Sequence, residues 1–83
     1  MNILKLEDLL ELPGWGTRKK ILEELETSPK TITELSKKFG MNYSSVRYHL
    51  ELMEKFGLVK LRKEGRKCFY EITKTGKMLI GRN

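Results

Sequence analysis

Leu6, Leu9 and Leu10 recur at helical spacing with Glu7, Asp8 and Glu11 between them, so the chain opens on a short amphipathic helix within residues 1–12. Pro13-Gly14-Trp15-Gly16 breaks the pattern. Thr17 then reads as the N-cap of a second helix, 17–26, whose Ile21, Leu22 and Leu25 share one face before Ser28-Pro29 ends it. Thr31 and Ile32 read as a short extended piece. Thr33 reads as the cap of a third helix, 33–40, with Leu35 and Phe39 inward, Lys37 and Lys38 outward, and Gly40 as a left-handed stop. Only Met41 and Asn42 separate it from a fourth helix, 43–56, with Asn42 as N-cap. Two helices joined by so tight a turn cross steeply, which is a helix-turn-helix.

On the fourth helix Val46, Leu50 and Met53 fall within about 60° of one another, with Phe56 at the margin. Ser44, Arg47, Tyr48, Glu51 and Lys55 lie opposite, at spacings of three and four. Gly57 ends the helix. The pattern then alternates through Val59 and Leu61, turns at Glu64-Gly65-Arg66 and alternates again from Cys68 to Thr73, predicting a hairpin over 58–73. Met78, Leu79 and Ile80 mark a short last helix, 74–80. The fold class is therefore mainly α with a small antiparallel β-hairpin (α+β), one domain across 1–83.

Length agrees: 83 residues supply one thin core. No run approaches the ~18 apolar residues of a membrane span, and MNILKLEDLL is acidic where a secretory signal would be apolar, so a cytoplasmic protein is expected. A single cysteine, Cys68, and a single histidine, His49, leave no intrachain disulfide and too few ligands for an ordinary zinc site. No metal, no cofactor and no enzyme activity are expected. Alanine and glutamine are absent while lysines number twelve and glutamates ten, a bias like that of proteins from heat-loving organisms.

Charge adds more. Residues 1–40 balance seven basic against seven acidic side chains, whereas 41–83 carry ten against four, so the net +6 belongs wholly to the second half. In a helix-turn-helix the second helix of the pair enters the major groove with its N-terminal residues toward the bases. There the chain carries Asn42, Tyr43, Ser44, Ser45, Arg47 and Tyr48. Arg47 suits bidentate pairing with guanine, the serines suit bases or phosphates, and the tyrosines reach phosphate oxygens. Lys55, two turns on, suits the backbone, and Glu51 either accepts from cytosine or turns away. The hairpin "KLRKEGRK", 60–67, holds five basic residues and one acid, so Arg62, Lys63, Arg66 and Lys67 are candidates for phosphates flanking a minor groove.

"TRKKIL", "TITELSKKFGMNYSSVRYHLELMEKFGLVK" and "EGRKCFYEITKTGKML" together resemble the winged helix-turn-helix transcription regulators, most closely the ArsR-like group, over roughly residues 17–79. The resemblance implies a dimeric, sequence-specific binder of double-stranded DNA, with Tyr43, Ser44, Arg47 and Tyr48 facing the groove and Arg66 and Lys67 on the wing. Metal sensing does not carry over, because the third helix has "TELSKKF" where the metal sensors place cysteines. The Pro13-Gly14-Trp15-Gly16 link also departs from the family pattern.

Plainer roles stand beside these. His49 reads as a packed, locally hydrogen-bonded residue. Cys68 reads as a small buried hydrophobe facing inward with Tyr70 and Ile72, and Trp15 as core or hinge filler. Lys19, Lys20, Lys37 and Lys38 read as a solvated face. Phe69, opposite to Tyr70, needs cover from the terminal helix or a partner. Leu6, Leu9 and Leu10, and Met78, Leu79 and Ile80, either complete the core or form the surface of a homodimer, since useful affinity comes from two half-sites ~34 Å apart. The alternative function is a winged-helix protein-interaction module in a transcription or RNA-processing assembly.

Overall fold

A computed structural model describes residues 5–81. In chain order these form α1 (Leu6–Glu11), α2 (Trp15–Thr27), α3 (Ile32–Phe39), α4 (Tyr43–Lys55), β1 (Val59–Glu64), β2 (Lys67–Ile72) and α5 (Lys74–Leu79). The architecture is the expected one. The first four positions of the predicted N-terminal helix lie outside the described residues.

Two helix starts differ from the sequence reading. α2 begins at Trp15 rather than at Thr17, because Gly14 adopts a left-handed conformation (φ 95°) as the capping residue and lets the chain enter the helix two residues early. α3 begins at Ile32, capped by Thr31 and not by Thr33. The Thr31 hydroxyl accepts from the Glu34 N–H at 3.1 Å while the Glu34 carboxylate accepts from the Thr31 N–H at 2.8 Å, and this reciprocal box needs an acid three residues after the cap. The extended piece is Lys30, which exchanges two backbone hydrogen bonds with Tyr70 at 3.0 and 2.8 Å. The wing is thereby stitched to the chain just before α3.

The turn between α3 and α4 is tied twice. The Met41 N–H donates to the Ser36 carbonyl at 3.0 Å and the Ser36 hydroxyl donates to the Met41 carbonyl, with Gly40 left-handed as expected. Asn42 occupies the cap of α4, although its side chain makes no capping hydrogen bond and stays exposed. Val46, Leu50 and Met53 are fully buried and meet Ile21, Leu22 and Leu25 of α2, Leu35 of α3, and Leu58, Val59 and Tyr70 in one core. Phe56 and Trp15 pack on its margin.

β1 and β2 pair antiparallel from Val59–Ile72 out to Glu64–Lys67, so the turn is Gly65-Arg66 alone, with Glu64 and Lys67 as its last rung. A positive φ at Gly65 (60°) but not at Arg66 suits a type II′ hairpin. At the base of the hairpin the Thr73 N–H donates to the Leu58 carbonyl at 2.9 Å and the Thr73 hydroxyl to the Gly57 carbonyl at 2.6 Å.

The hairpin outruns the core beneath it. Val59 and Tyr70 are buried at its base, yet Leu61 is 40% exposed and Cys68 is exposed, contrary to the buried reading of Cys68. Alternation puts them on the same face as Val59 and Tyr70, but the buried core ends at the base of the hairpin and does not reach them. Phe69 is half-buried, and its ring is covered by the Arg62 guanidinium, 6.0 Å from its centre.

Of the two apolar stripes, Leu9 is fully buried in its own chain's core and offers no dimer surface, a correction to that expectation. Leu6, Leu79 and Ile80 are half-buried against the core, whereas Leu10 (41%) and Met78 (68%) face outward.

Candidate nucleic-acid interface

The polar flank of α4 is laid open because its apolar flank is fully occupied. Tyr43, Ser44, Arg47 and Tyr48 are exposed with Asn42 before them, while Ser45 is half-buried. Arg47 donates to the Glu51 carboxylate at 3.1 Å, one turn along, and that hydrogen bond and charge hold the guanidinium still more firmly protonated. The pair is fully solvated and orients Arg47 along the helix face, adding little to stability.

Tyr43 does not stand alone. A concavity of about 500 Å³ is lined by Thr31 to Glu34 at the start of α3, by Tyr43 at the start of α4, and by Arg66 to Phe69 on the wing. The Lys30–Tyr70 stitch explains the juxtaposition, since it fixes β2 beside the N-terminus of α3. Across this groove the positive charge of Lys67 reaches Glu34. It helps lower the carboxyl's pKa, although the larger cause is the hydrogen bond from the Thr31 backbone. Arg66 and Lys67 are exposed and join no ion pair within 4 Å among the described residues.

The wing's other cations are placed differently. Arg62 lies 3.0 Å from Glu64 and 3.4 Å from Glu71, besides stacking on Phe69, so its charge is already partly answered. Lys63 is exposed, across from Cys68. Lys55 sits at the far end of α4, about 18 Å from Tyr43 along the axis, in a second hollow with Tyr48, Glu51, Leu52 and Glu54. The structure thus gathers Tyr43, Arg66 and Lys67 in one groove, leaves Ser44 and Arg47 exposed on the same helix as Tyr43, places Tyr48 with Lys55 in the second hollow, and sets Arg62 apart. Lys19, Lys20, Lys37 and Lys38 are exposed, as a solvated face should be.

Sequence reasoning missed Arg18. It is the one buried charged residue among those described, with no accessible surface. It stands at the spacing of the α2 apolar stripe, three before Ile21 and seven before Leu25, and that was the available signal. One Nη2 donates to the carbonyls of Leu12 (2.9 Å) and Pro13 (2.8 Å), and Nη1 donates to Nδ1 of His49 at 3.1 Å. The bond to His49 is therefore long-range rather than local. A guanidinium only donates, so His49 is neutral with its proton on Nε2. Burial, and then the charge of Arg18, hold the imidazole's pKa below its ordinary value.

Comparison with known proteins agrees with the fold. A structure of the homodimeric winged helix-turn-helix DNA-binding domain, fragment 1–100, of a possible ArsR-family transcriptional regulator from Mycobacterium bovis superposes with a TM-score of 0.72 at 27% identity, over 78% of this chain and 61% of that one. A possible transcriptional regulator for arsenical resistance gives 0.70 at 28% identity, over 78% and 68%. The transcriptional regulator BldR from Sulfolobus solfataricus gives 0.73 at 21% identity, over 76% and 48%, a likeness of fold alone. An uncharacterised HTH-type transcriptional regulator of Methanocaldococcus jannaschii is 36% identical over 59 residues, 71% of this chain, and the match spans only 15% of that relative's length. The sequence profile described as "Bacterial regulatory protein, arsR family" matches residues 16–61, from the start of α2 to the middle of β1. The profile spans the whole helix-turn-helix and the first residues of the wing, and the chain belongs to the arsR family of regulatory proteins.

Proposed function

We propose that this domain binds double-stranded DNA in a sequence-specific manner as part of a transcription regulator, with α4 in the major groove and the wing on flanking phosphates. The supporting observation is the groove that unites Tyr43 with Arg66 and Lys67, together with the exposed Ser44, Arg47 and Tyr48 on the helix that Tyr43 begins. Unneutralised cations in a groove suit phosphates, and a guanidinium with hydroxyls on a helix end suits base edges. Asn42, Ser45, Lys55, Arg62 and Lys63 are assigned supporting contacts.

The domain acts as a homodimer, as the Mycobacterium bovis domain does. Leu10 and Met78 supply the exposed apolar contact and Leu6, Leu79 and Ile80 its half-buried border. Selecting bound duplexes from a random pool tests the reading. A shared motif is expected to emerge, and Arg47→Ala is expected to cost about 1–3 kcal/mol and relax one position of that motif. Unchanged affinity and preference would remove Arg47 from the interface. A tight protein partner, with duplex binding that shows no preference, would favour the interaction-module alternative.

A further inference from the structure

Resting on the DNA-binding reading above, we infer that Arg18 is a positioning residue for DNA recognition, holding the α1–α2 connection and the recognition helix α4 in one fixed relation through His49. Each link is short. Arg18 clasps the Leu12 and Pro13 carbonyls at 2.9 and 2.8 Å from one side and His49 at 3.1 Å from the other. The His49 ring in turn meets the adjacent Tyr48 edge-on, with centroids 5.4 Å apart and planes at 63°. Tyr48 is exposed on the proposed DNA face. The path thus runs from the connection that carries α1 to a side chain offered to DNA.

Two further features suit alignment rather than stability. A buried guanidinium with no carboxylate beside it among the described residues is a costly way to fill core, since an apolar residue of similar volume generally serves as well or better. Its Nε has no hydrogen-bond partner among the described residues, so the side chain is placed for the three acceptors that Nη1 and Nη2 reach and not for full satisfaction. The neighbouring backbone is equally committed. A Cβ on Gly14 would lie 3.1 Å from Nη1 of Arg18 and 3.2 Å from Cε1 of His49, at a φ of 95° that disfavours any side chain. The unusual Pro13-Gly14 link is therefore the fitted lid of this contact. Because α1 carries Leu10, the same clasp relates the proposed dimer surface to the recognition helix.

Protonation offers a handle that a purely structural role would not. Facing His49 are the Arg18 guanidinium from α2, the Tyr48 phenol from α4 and the uncharged Gly14 backbone from the connection. A proton on Nδ1 abolishes the acceptor and sets two cations against each other. Plain electrostatics predicts the opposite outcome on DNA, because an added positive charge tightens binding to phosphate.

The test uses the full chain, the duplex it selects from a random pool at neutral pH, and an unrelated duplex of equal length, with circular dichroism recorded alongside. Between about pH 7.5 and about 4.5 the ratio of the two affinities is expected to fall about tenfold, with its onset below the ordinary imidazole range because Arg18 and burial oppose the proton, while the fold persists and unrelated-duplex binding holds or rises. His49→Asn, whose amide oxygen takes the place of Nδ1 and does not titrate, should keep the ratio constant across that range. Arg18→Met should lower it at neutral pH while remaining folded, and this variant decides the matter if the wild type unfolds in acid. A pH-independent ratio in the folded wild type, His49→Asn retaining the wild-type loss, or Arg18→Met keeping full selectivity would each overturn the inference alone. Failure to enrich any duplex would instead overturn the DNA-binding reading and this inference with it.

Discussion

Removing two wing cations should change the salt dependence of DNA binding by a calculable amount, and removing a third should not. Arg66 and Lys67 are exposed, line the groove with Tyr43 and have no ion-pair partner within 4 Å among the described residues. Each phosphate they neutralise releases counterion worth about 0.9 in the slope of log K against log salt, so the double variant Arg66→Ala/Lys67→Ala should lower the slope by about 1.8 per bound domain. Taking 1 M salt as the point where the two curves meet, that slope change corresponds to about a thirtyfold loss at 0.15 M, on the order of 2 kcal/mol. Arg62 is as close to the duplex in sequence but lies 3.0 Å from Glu64 and 3.4 Å from Glu71. Arg62→Ala should therefore lower the slope by well under 0.9, because binding must first release its acids. Titrating a labelled duplex by fluorescence anisotropy at four or five salt concentrations measures both slopes. Equal loss per cation for Arg62 and for the Arg66/Lys67 pair would refute the distinction drawn from the ion pairs.

Gly76→Ala should destabilise the domain by about 1–3 kcal/mol in urea titration, since the new Cβ would meet the Leu58 carbonyl and approach Cγ1 of Ile72 to 2.7 Å where α5 rests on the hairpin base. Thr31→Ala should cost about 1 kcal/mol through loss of the α3 cap. It should also alter the acid limb of the stability curve. The pKa of Glu34 is lowered in the folded state, so its contribution is present above the ordinary glutamate pKa and is lost as pH falls through the folded value; alanine removes the Thr31 hydroxyl but keeps the backbone N–H that is the larger cause, so that loss should shrink only slightly in thermal melts recorded at falling pH. Leu10→Glu or Met78→Glu should shift light-scattering mass from dimer to monomer without lowering the melting temperature of the monomer, because both side chains already face solvent. Mass unchanged in both variants would place the dimer contact elsewhere.

Much of the fold and part of the candidate interface were legible because they depend on neighbours in the chain. A 3.6-residue stripe at Val46, Leu50 and Met53, a glycine at position 40 and a two-residue turn specify a steep helix pair whatever lies around it. The polar flank from Asn42 to Tyr48 and the basic hairpin follow in the same way, and so does the placement of the net charge in the second half of the chain. Capping is where local reading slipped. Thr31 and Thr33 are both good caps, and only the spacing to Glu34 distinguishes them.

Burial, by contrast, depends on where other elements end, and a periodic pattern carries no information about that. Leu61 and Cys68 keep the inward phase of their strands yet lie exposed, because the buried core ends at the base of the hairpin. Leu9 and Leu10 belong to one stripe, yet one is fully buried and the other faces solvent. Arg62 and Arg66 are alike in sequence, and folding alone brings Glu71 beside the first and Tyr43 into the groove of the second. Arg18 and His49 stand 31 positions apart and become a single contact only when α2 and α4 pack. The amino-acid order therefore determined the elements, their succession and the sign of the exposed surface, since those rest on local geometry and composition. Which charges remain available, which apolar faces stay open and which distant side chains touch were decided by tertiary packing, since those depend on distances that no local pattern encodes.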